Sequence, residues 1–212
     1  MFKLTHKIPN YVMIAVSGGA DSMAALDFLK QGRKVKVLHF NHGTSHADDA
    51  QYCVEKYCKE NRLDLKVGRL ESDMPNGASK EDFWRSKRYN FLDLESKEFV
   101  GSVLQNPPTP VITCHHLDDA VETWLFTSMH GEGRLIPSKR DNYIRPFLLT
   151  RKAVFEDWCD RKSVPYVTDP SNTDTSFMRN YIRHELMPHA LRVNPGIHKV
   201  IRKKIINSLE RD

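Results

Sequence analysis

The chain has 212 residues, 40% of them hydrophobic and 28% charged, with a formal net charge of +5. That length supports one packed domain with a small extension, and the composition excludes a chain dominated by disorder. No run of about twenty apolar residues is present to span a bilayer, and a basic balance is compatible with a polyanionic partner.

Residues 1–11 form a lead-in without a secretory h-region, and Pro9-Asn10 marks a turn. The β-branched run Val12-Met13-Ile14-Ala15-Val16 predicts a strand, and Met23 to Lys30 a helix closed near Gly32. Between them lies Ser17-Gly18-Gly19-Ala20-Asp21-Ser22. Two glycines let backbone N–H groups converge on an anion, and the helix that follows adds its positive end. Ser17 and Ser22 supply hydroxyls, whereas Asp21 would repel a bare phosphate and suits a bound magnesium ion. A magnesium-complexed polyphosphate satisfies all of these groups. The Gly-Lys-Ser/Thr ending of a Walker A loop is missing, which disfavours an ordinary kinase or GTPase. The plain alternative is a tight turn that needs glycine and a serine cap.

Lys34 to Phe40 predicts a second strand, ending in Asn41-His42-Gly43. Ligands of open parallel sheets bind beyond the carboxyl ends of strands, so these residues share a crevice with the glycine loop or are simply a turn. A helix over Ala47 to Asn61 and a strand over Leu63 to Gly68 follow, then an exposed polar loop from Glu71 to Gly77. The next helix, Ser79 to about Lys97, interleaves Arg85, Lys87 and Arg88 with Phe83, Trp84, Tyr89, Phe91 and Leu92. Pattern alone favours an amphipathic helix with aromatics in the core over a binding face. Residues 105–110 form a proline-rich connection.

Pro110 to Cys114 predicts a buried strand, followed by His115-His116-Leu117-Asp118-Asp119 and a helix through Phe126. Asp119, Glu122 and Thr123 share one face near its start, where carboxylates can hold magnesium or orient a nucleophile. Asp118 reads as the cap of this helix. A histidine–aspartate metal hydrolase is the alternative, although no further ligand has a recognisable spacing. His130 to Arg134 reads as a flexible loop, and Asn142 to Leu149 as extended.

Arg151 to Lys162 is an amphipathic helix, and Asp169 to Asp174 a structured loop. Phe177 to Arg183 puts Arg179 and Arg183 on one helical face beside Asn180, where two guanidinium groups grip phosphates or are merely solvated. Asn194-Pro195 is a helix start. The terminal helix carries an apolar stripe of Ile197, Val200, Ile201 and Ile205 that needs a partner, this domain or a second subunit. Cys53, Cys58, Cys114 and Cys159 show no paired spacing, as expected of reduced thiols in a cytoplasmic protein. These elements predict an α/β fold with a doubly wound, mostly parallel sheet over residues 1–150, and a helical extension over 151–212 packed on it.

Together the motifs resemble the catalytic domain of the tRNA(Ile)-lysidine synthases, within the pyrophosphate-loop ATPase superfamily and its Rossmann-like, adenine-nucleotide α-hydrolase fold. The pieces that carry the resemblance are Ser17 to Ser22, His39 to Gly43, Arg85 with Arg88-Tyr89, His116 to Asp119 with Glu122-Thr123, Arg145-Pro146, and Asp169 to Asn172 with Arg179-Asn180 and Arg183. The resemblance implies a ligase that uses ATP and magnesium to join L-lysine to a cytidine of tRNA-Ile with a CAU anticodon, releasing AMP and pyrophosphate. It assigns Asp21, His116, Asp119, Arg179 and Arg183 to catalysis, and residues 17–22 (Ser17, Gly18, Gly19, Ala20, Asp21, Ser22) with His42 to ATP. Arg85, Arg88, Glu122, Arg145, Asn172 and Asn180 fall to substrate, and Asp21 with Asp119 to magnesium. Two departures stand out: Thr44-Ser45 replaces a Leu-Arg pair, and His130-Gly131 replaces Arg-Gly. Many members also carry further C-terminal domains, so the chain looks like a minimal catalytic domain. Another acceptor, or a nucleotide- or RNA-binding module without catalysis, stays open at this stage, as does a homodimer through the C-terminal helices.

Overall fold

The computed structural model describes residues 1–72, 74–75, 77, 79–102 and 109–211, the side chains of 45, 81 and 98–102 excepted. Most of the proline-rich connection and Asp73 and Asn76 of the exposed loop therefore lie outside the described residues. Among the described residues six strands form one sheet in the order β3-β2-β1-β4-β6-β5. They are β1 Tyr11–Ala15, β2 Lys34–Asn41, β3 Asp64–Arg69, β4 Val111–Ile112, β5 Lys139–Arg140 and β6 Tyr143–Ile144. All pairs are parallel except β5 on β6. The helices are α1 Ala20–Lys30, α2 Ser45–Glu60, α3 Lys80–Ser102, α4 Leu117–Met129, α5 Lys152–Lys162, α6 Met178–Tyr181, α7 Met187–Val193 and α8 Ile197–Leu209. This is the doubly wound α/β architecture expected from the sequence.

Strand β1 is buried on both faces, and its period of two sorts its side chains between two cores. Val12 and Ile14 join residues of α1, α2 and α5, whereas Met13 packs with Leu38, Val111, Tyr143 and Leu92 of α3. Because β2 lies on one side of β1 and β4 on the other, the order reverses at β1. That is where an open α/β sheet leaves a crevice at its carboxyl edge. A third core joins α4 to α8 through Leu117, Ala120, Val121, Ile197, Ile201 and Ile205. The stripe on the terminal helix is thus covered within this chain, apart from Val200, which is 42% exposed. Among the described residues no helix is long and apolar enough to cross a membrane.

Several local expectations shift. Helix α1 starts at Ala20 and is capped at Gln31, so Gly32 is not its left-handed stop. Strand β4 is two residues long, and the extended 142–149 segment is strand only at Tyr143–Ile144. Its partner β5, unforeseen, is reached through a turn at Asp141 with φ +53°. Helix α8 begins at Ile197, and Asn194 accepts from Gly196 N instead of capping a helix begun at Pro195.

Asp118 corrects a larger expectation. His116 caps α4, its side chain accepting from Asp119 N while Asp119 accepts from His116 N. Asp118 is left to serve other helices: it accepts from Lys152 N at 2.8 Å, from Arg151 Nε at 3.0 Å and lies 3.1 Å from His198 Nε2. Helix α5 has no side-chain cap of its own, so Asp118 supplies one from α4 while tying down α8. Burial opposes its charge, but His198, the Lys152 amide and Arg151 hold its pKa well below the usual carboxylate range. A carboxylate whose pKa falls on folding adds stability above its unfolded pKa of about 3.9 and loses it as pH drops toward the folded value. Asp118→Ala should therefore lower unfolding free energy by about 2–3 kcal/mol at neutral pH. The deficit should shrink below about pH 4, as chemical denaturation across pH would show.

Candidate functional site

The glycine loop closes on itself at the end of β1. Ser22 Oγ accepts from Ser17 N at 3.1 Å, donates to Gly19 O at 3.0 Å and lies 3.2 Å from Ser17 Oγ. Gly18 has φ +91°, and a Cβ there would sit 3.0 Å from Ala50 Cβ and 3.2 Å from its backbone. Only glycine meets both demands. Gly18 O accepts from Val167 N, which seats the loop after α5 against the phosphate loop. In the first turn of α1 Ser22 N already donates to Gly19 O at 3.1 Å, which leaves the amides of Ala20 and Asp21 as the helix-end donors for an anion.

At the end of β2, Asn41 is buried and its side chain builds the turn. It donates to Asp48 and Gln51 and accepts from Gly43 N, with Gly43 at φ +77°. Asn41 is therefore explained by structure. His42 is different: its ring packs against Phe40 and Trp84 of α3, and its Nδ1 is buried with no partner among the described residues. Burial and the neighbouring Arg88 push its pKa down to about 4, so the ring is neutral. His39 Nδ1 bonds Val16 O at 2.8 Å, linking β2 to the root of the phosphate loop.

Helix α4 opens across the crevice. With Asp119 N donating to its Nδ1, the His116 ring is the Nε2–H tautomer, and Nε2 lies 3.6 Å from Asp21 Oδ2. Burial opposes the imidazolium, but Asp119, Asp21 and Asp118 outweigh it and raise the His116 pKa. Protonation would place a hydrogen on Nδ1 and break the cap. Asp119 Oδ1 takes Arg179 Nη2 at 2.7 Å, and Arg183 makes a two-point contact with Glu122 at 2.8 and 3.0 Å. Arg179 Nε also reaches Glu122 at 3.4 Å. The two helical pairs foreseen separately, Asp119/Glu122 and Arg179/Arg183, thus face each other.

The arginine-bearing segment is not one regular helix. Met187 N bonds Ile182 O, five residues back, making a π-helical turn over Ile182–Leu186. Pro188 follows, lacks an N–H and cannot extend the regular ladder to His184. Asn180 is buried and gives its amide to the carbonyls of Ser171 and Asp174, holding the Asp169–Asp174 loop. Asn172 is exposed, with its carbonyl bound by His184 Nε2.

A group of cations lies behind this cluster. Arg88 forms no ion pair or hydrogen bond among the described residues and only overlies Tyr89; burial, Arg85 and Arg179 lower its pKa. Arg145 is 4% exposed, and Nη1 donates to Pro137 O while Nε has no partner among the described residues. His115, one of the two histidines behind the metal-hydrolase alternative, meets Thr113 Oγ1 at 3.1 Å. Burial, together with Arg145, Arg179 and Arg88, pushes its pKa down to about 3. Local spacing did not show this cationic setting of His115, because the arginines come from α3, from the residue after β6 and from α6.

The residues fit a magnesium polyphosphate at one carboxylate. Asp21 Oδ1 is buried without a partner among the described residues, whereas both Asp119 oxygens are already engaged by His116 N and Arg179. Among the described residues no three His, Cys, Asp or Glu side chains are grouped to hold a metal alone. Magnesium here would take its remaining ligands from phosphate and water, as it commonly does.

Comparison with known proteins fits this geometry. The PP-loop domain family matches residues 2–190. The chain is 31% identical over 207 residues to the tRNA(Ile)-lysidine synthase of Thermotoga sp. strain RQ2, covering 90% of this chain and 48% of that protein. It is 34% identical over 202 residues to that of Geobacter sulfurreducens, covering 87% and 41%. It therefore spans about half the length of the curated relatives it matches. Among solved structures, the U34-tRNA thiolase NcsA of Methanococcus maripaludis superposes with a TM-score of 0.73 at 16% identity, over 97% of this chain and 74% of that one. At that identity the likeness is one of fold.

Proposed function

The chain belongs to the PP-loop domain family, and on that premise we propose that it is an ATP-dependent carbon–nitrogen ligase of the tRNA(Ile)-lysidine synthase kind. In this reading it joins L-lysine to the wobble cytidine of a tRNA with a CAU anticodon. The observation that carries the reading is the meeting of two strand ends. The loop after β1 presents an anion cradle with a free carboxylate oxygen on Asp21. The helix after β4 presents His116, Asp119 and Glu122 with their arginines to the same crevice. The lysidine synthases at 31–34% identity support the choice of acceptor.

In the proposed reaction the cytidine carbonyl oxygen attacks the α-phosphorus of ATP and pyrophosphate leaves. The lysine amine then attacks the activated ring carbon, AMP departs, and the amine loses its surplus proton. Ser17, Gly18, Gly19, Ala20 and Ser22 would hold the leaving pyrophosphate through backbone and hydroxyl donors. Magnesium held by Asp21 would neutralise its charge. His116 positions the nucleotide between Asp21 and the α4 start, and Arg179 and Arg183 supply positive charge near the transferring phosphate. Incubation with ATP, lysine and total tRNA, followed by nucleoside mass spectrometry, should yield lysidine and AMP only when all three are present. AMP release indifferent to lysine and tRNA would overturn the assignment.

A further inference from the structure

Helix α3 does not cover the whole of its sheet face. Between it and the β5–β6 hairpin runs a groove of about 760 Å³. Its α3 wall is a single stripe at spacings of three and four, including Asp82, Arg85, Tyr89, Asp93 and Lys97. The opposite wall is the hairpin, with Arg140, Tyr143 and Arg145. The rings of Tyr89 and Tyr143 meet edge to face at 5.0 Å on its lining, and Arg85 overlies Tyr89 at 5.3 Å.

Charge in the groove is not balanced by its acids. Four cations, Arg85, Lys97, Arg140 and Arg145, face three acids: Asp93 accepts from the Tyr143 hydroxyl, Asp141 lies 3.6 Å from Arg140, and Asp82 is exposed. Arg85 and Lys97 are exposed and form no ion pair among the described residues. The hairpin wall also carries Arg145, whose buried Nε has no partner among the described residues. Arg145 lines this groove and also acts on His115, the residue before the α4 cap, which sets the groove beside the crevice. A groove lined by cations and aromatic rings that lies beside a reaction centre suits a single strand of nucleic acid, its phosphates tracked by the cations.

We propose, resting on the reading that the acceptor is an RNA, that the groove between α3 and the β5–β6 hairpin carries the RNA strand into the crevice. Arg145, on the hairpin wall, receives one backbone phosphate. The double variant Lys97→Glu/Arg140→Glu changes two exposed positions remote from the phosphate loop. With a fluorescein-labelled anticodon stem-loop RNA bearing a CAU loop, its affinity should fall roughly tenfold. The slope of log affinity against log salt should drop by about 1.4, since each lost phosphate contact removes about 0.7 for a single strand. ATP binding by calorimetry should match that of the unaltered chain. Lys199→Glu/Lys203→Glu on α8 makes the same change in net charge elsewhere and should leave the slope as it was. Unchanged RNA affinity in the groove variant, or equal loss in both variants, overturns the proposal. The two readings fail separately. RNA binding that depends on the groove without lysidine formation removes the ligase and keeps the groove. Lysidine formation with RNA binding insensitive to the groove variant does the reverse.

Discussion

Asp119→Ala is expected to slow AMP release from ATP, measured with lysine and tRNA present, by about a hundredfold or more. The carboxylate does two jobs at one point. One oxygen accepts from His116 N, and so fixes the start of α4 and the ring that faces Asp21. The other holds Arg179 at 2.7 Å across 60 residues of chain. Burial alone would raise the Asp119 pKa, but His116 and the charge of Arg179 keep it depressed and the group ionised. Alanine removes both contacts and leaves Arg179 with only its longer approach to Glu122. Stability should suffer less than rate. A lost cap contributes about 1 kcal/mol, and Arg179, whose side chain is 44% exposed, regains water when unpaired. Asp119→Asn separates the two jobs: its amide oxygen can still accept from His116 N, but the charge opposite Arg179 is gone. Thermal stability close to that of the parent with a rate still reduced would assign the effect to the ion pair. A rate within tenfold of the parent in both variants would remove Asp119 from the chemistry.

What the sequence made legible was local. The phosphate loop could be read because strand, turn and helix are contiguous, and Gly18 carries its requirement in its own backbone angle. Asp119 with Glu122, and Arg179 with Arg183, were each visible as helical pairs, since spacings of three and four need no tertiary knowledge. That the pairs bind each other was not visible, because the contact closes a loop of 57 to 61 residues. Asp118 illustrates the same limit. Its neighbour His116 is an uncommon cap, so Asp118 read as the obvious one, whereas its partners lie on α5 and α8. The β5–β6 hairpin left almost no signal: four strand residues, two of them exposed, carry too little pattern to register. Without it neither the groove nor the burial of Arg145 could be foreseen.

Gly18→Ala is the second large effect, and it should fall on ATP binding and on stability together. At φ +91° an L-residue is strained by about 1–2 kcal/mol, whatever space surrounds it. Space is also lacking, for the new methyl would stand 3.0 Å from Ala50 Cβ and 3.2 Å from Ala50 Cα and O, atoms of the α2 backbone that cannot rotate away. Overpacking of this kind typically costs a further 1–3 kcal/mol. Relief by moving the loop would disturb the Ser17–Ser22 contacts and the bond from Val167 N to Gly18 O, so the anion cradle would change with it. We expect unfolding free energy to fall by about 2–4 kcal/mol in chemical denaturation, and ATP affinity by calorimetry to drop at least about tenfold. Ala50→Gly distinguishes the two causes. In the double variant the side-chain overlap disappears, although the Ala50 backbone atoms and the positive φ remain. Partial recovery of stability, beyond the roughly 1 kcal/mol that glycine itself removes from a helix, would assign the recovered part to the clash. Full retention of ATP affinity in Gly18→Ala alone would show that the loop tolerates a side chain at this point and does not grip the polyphosphate through its backbone there.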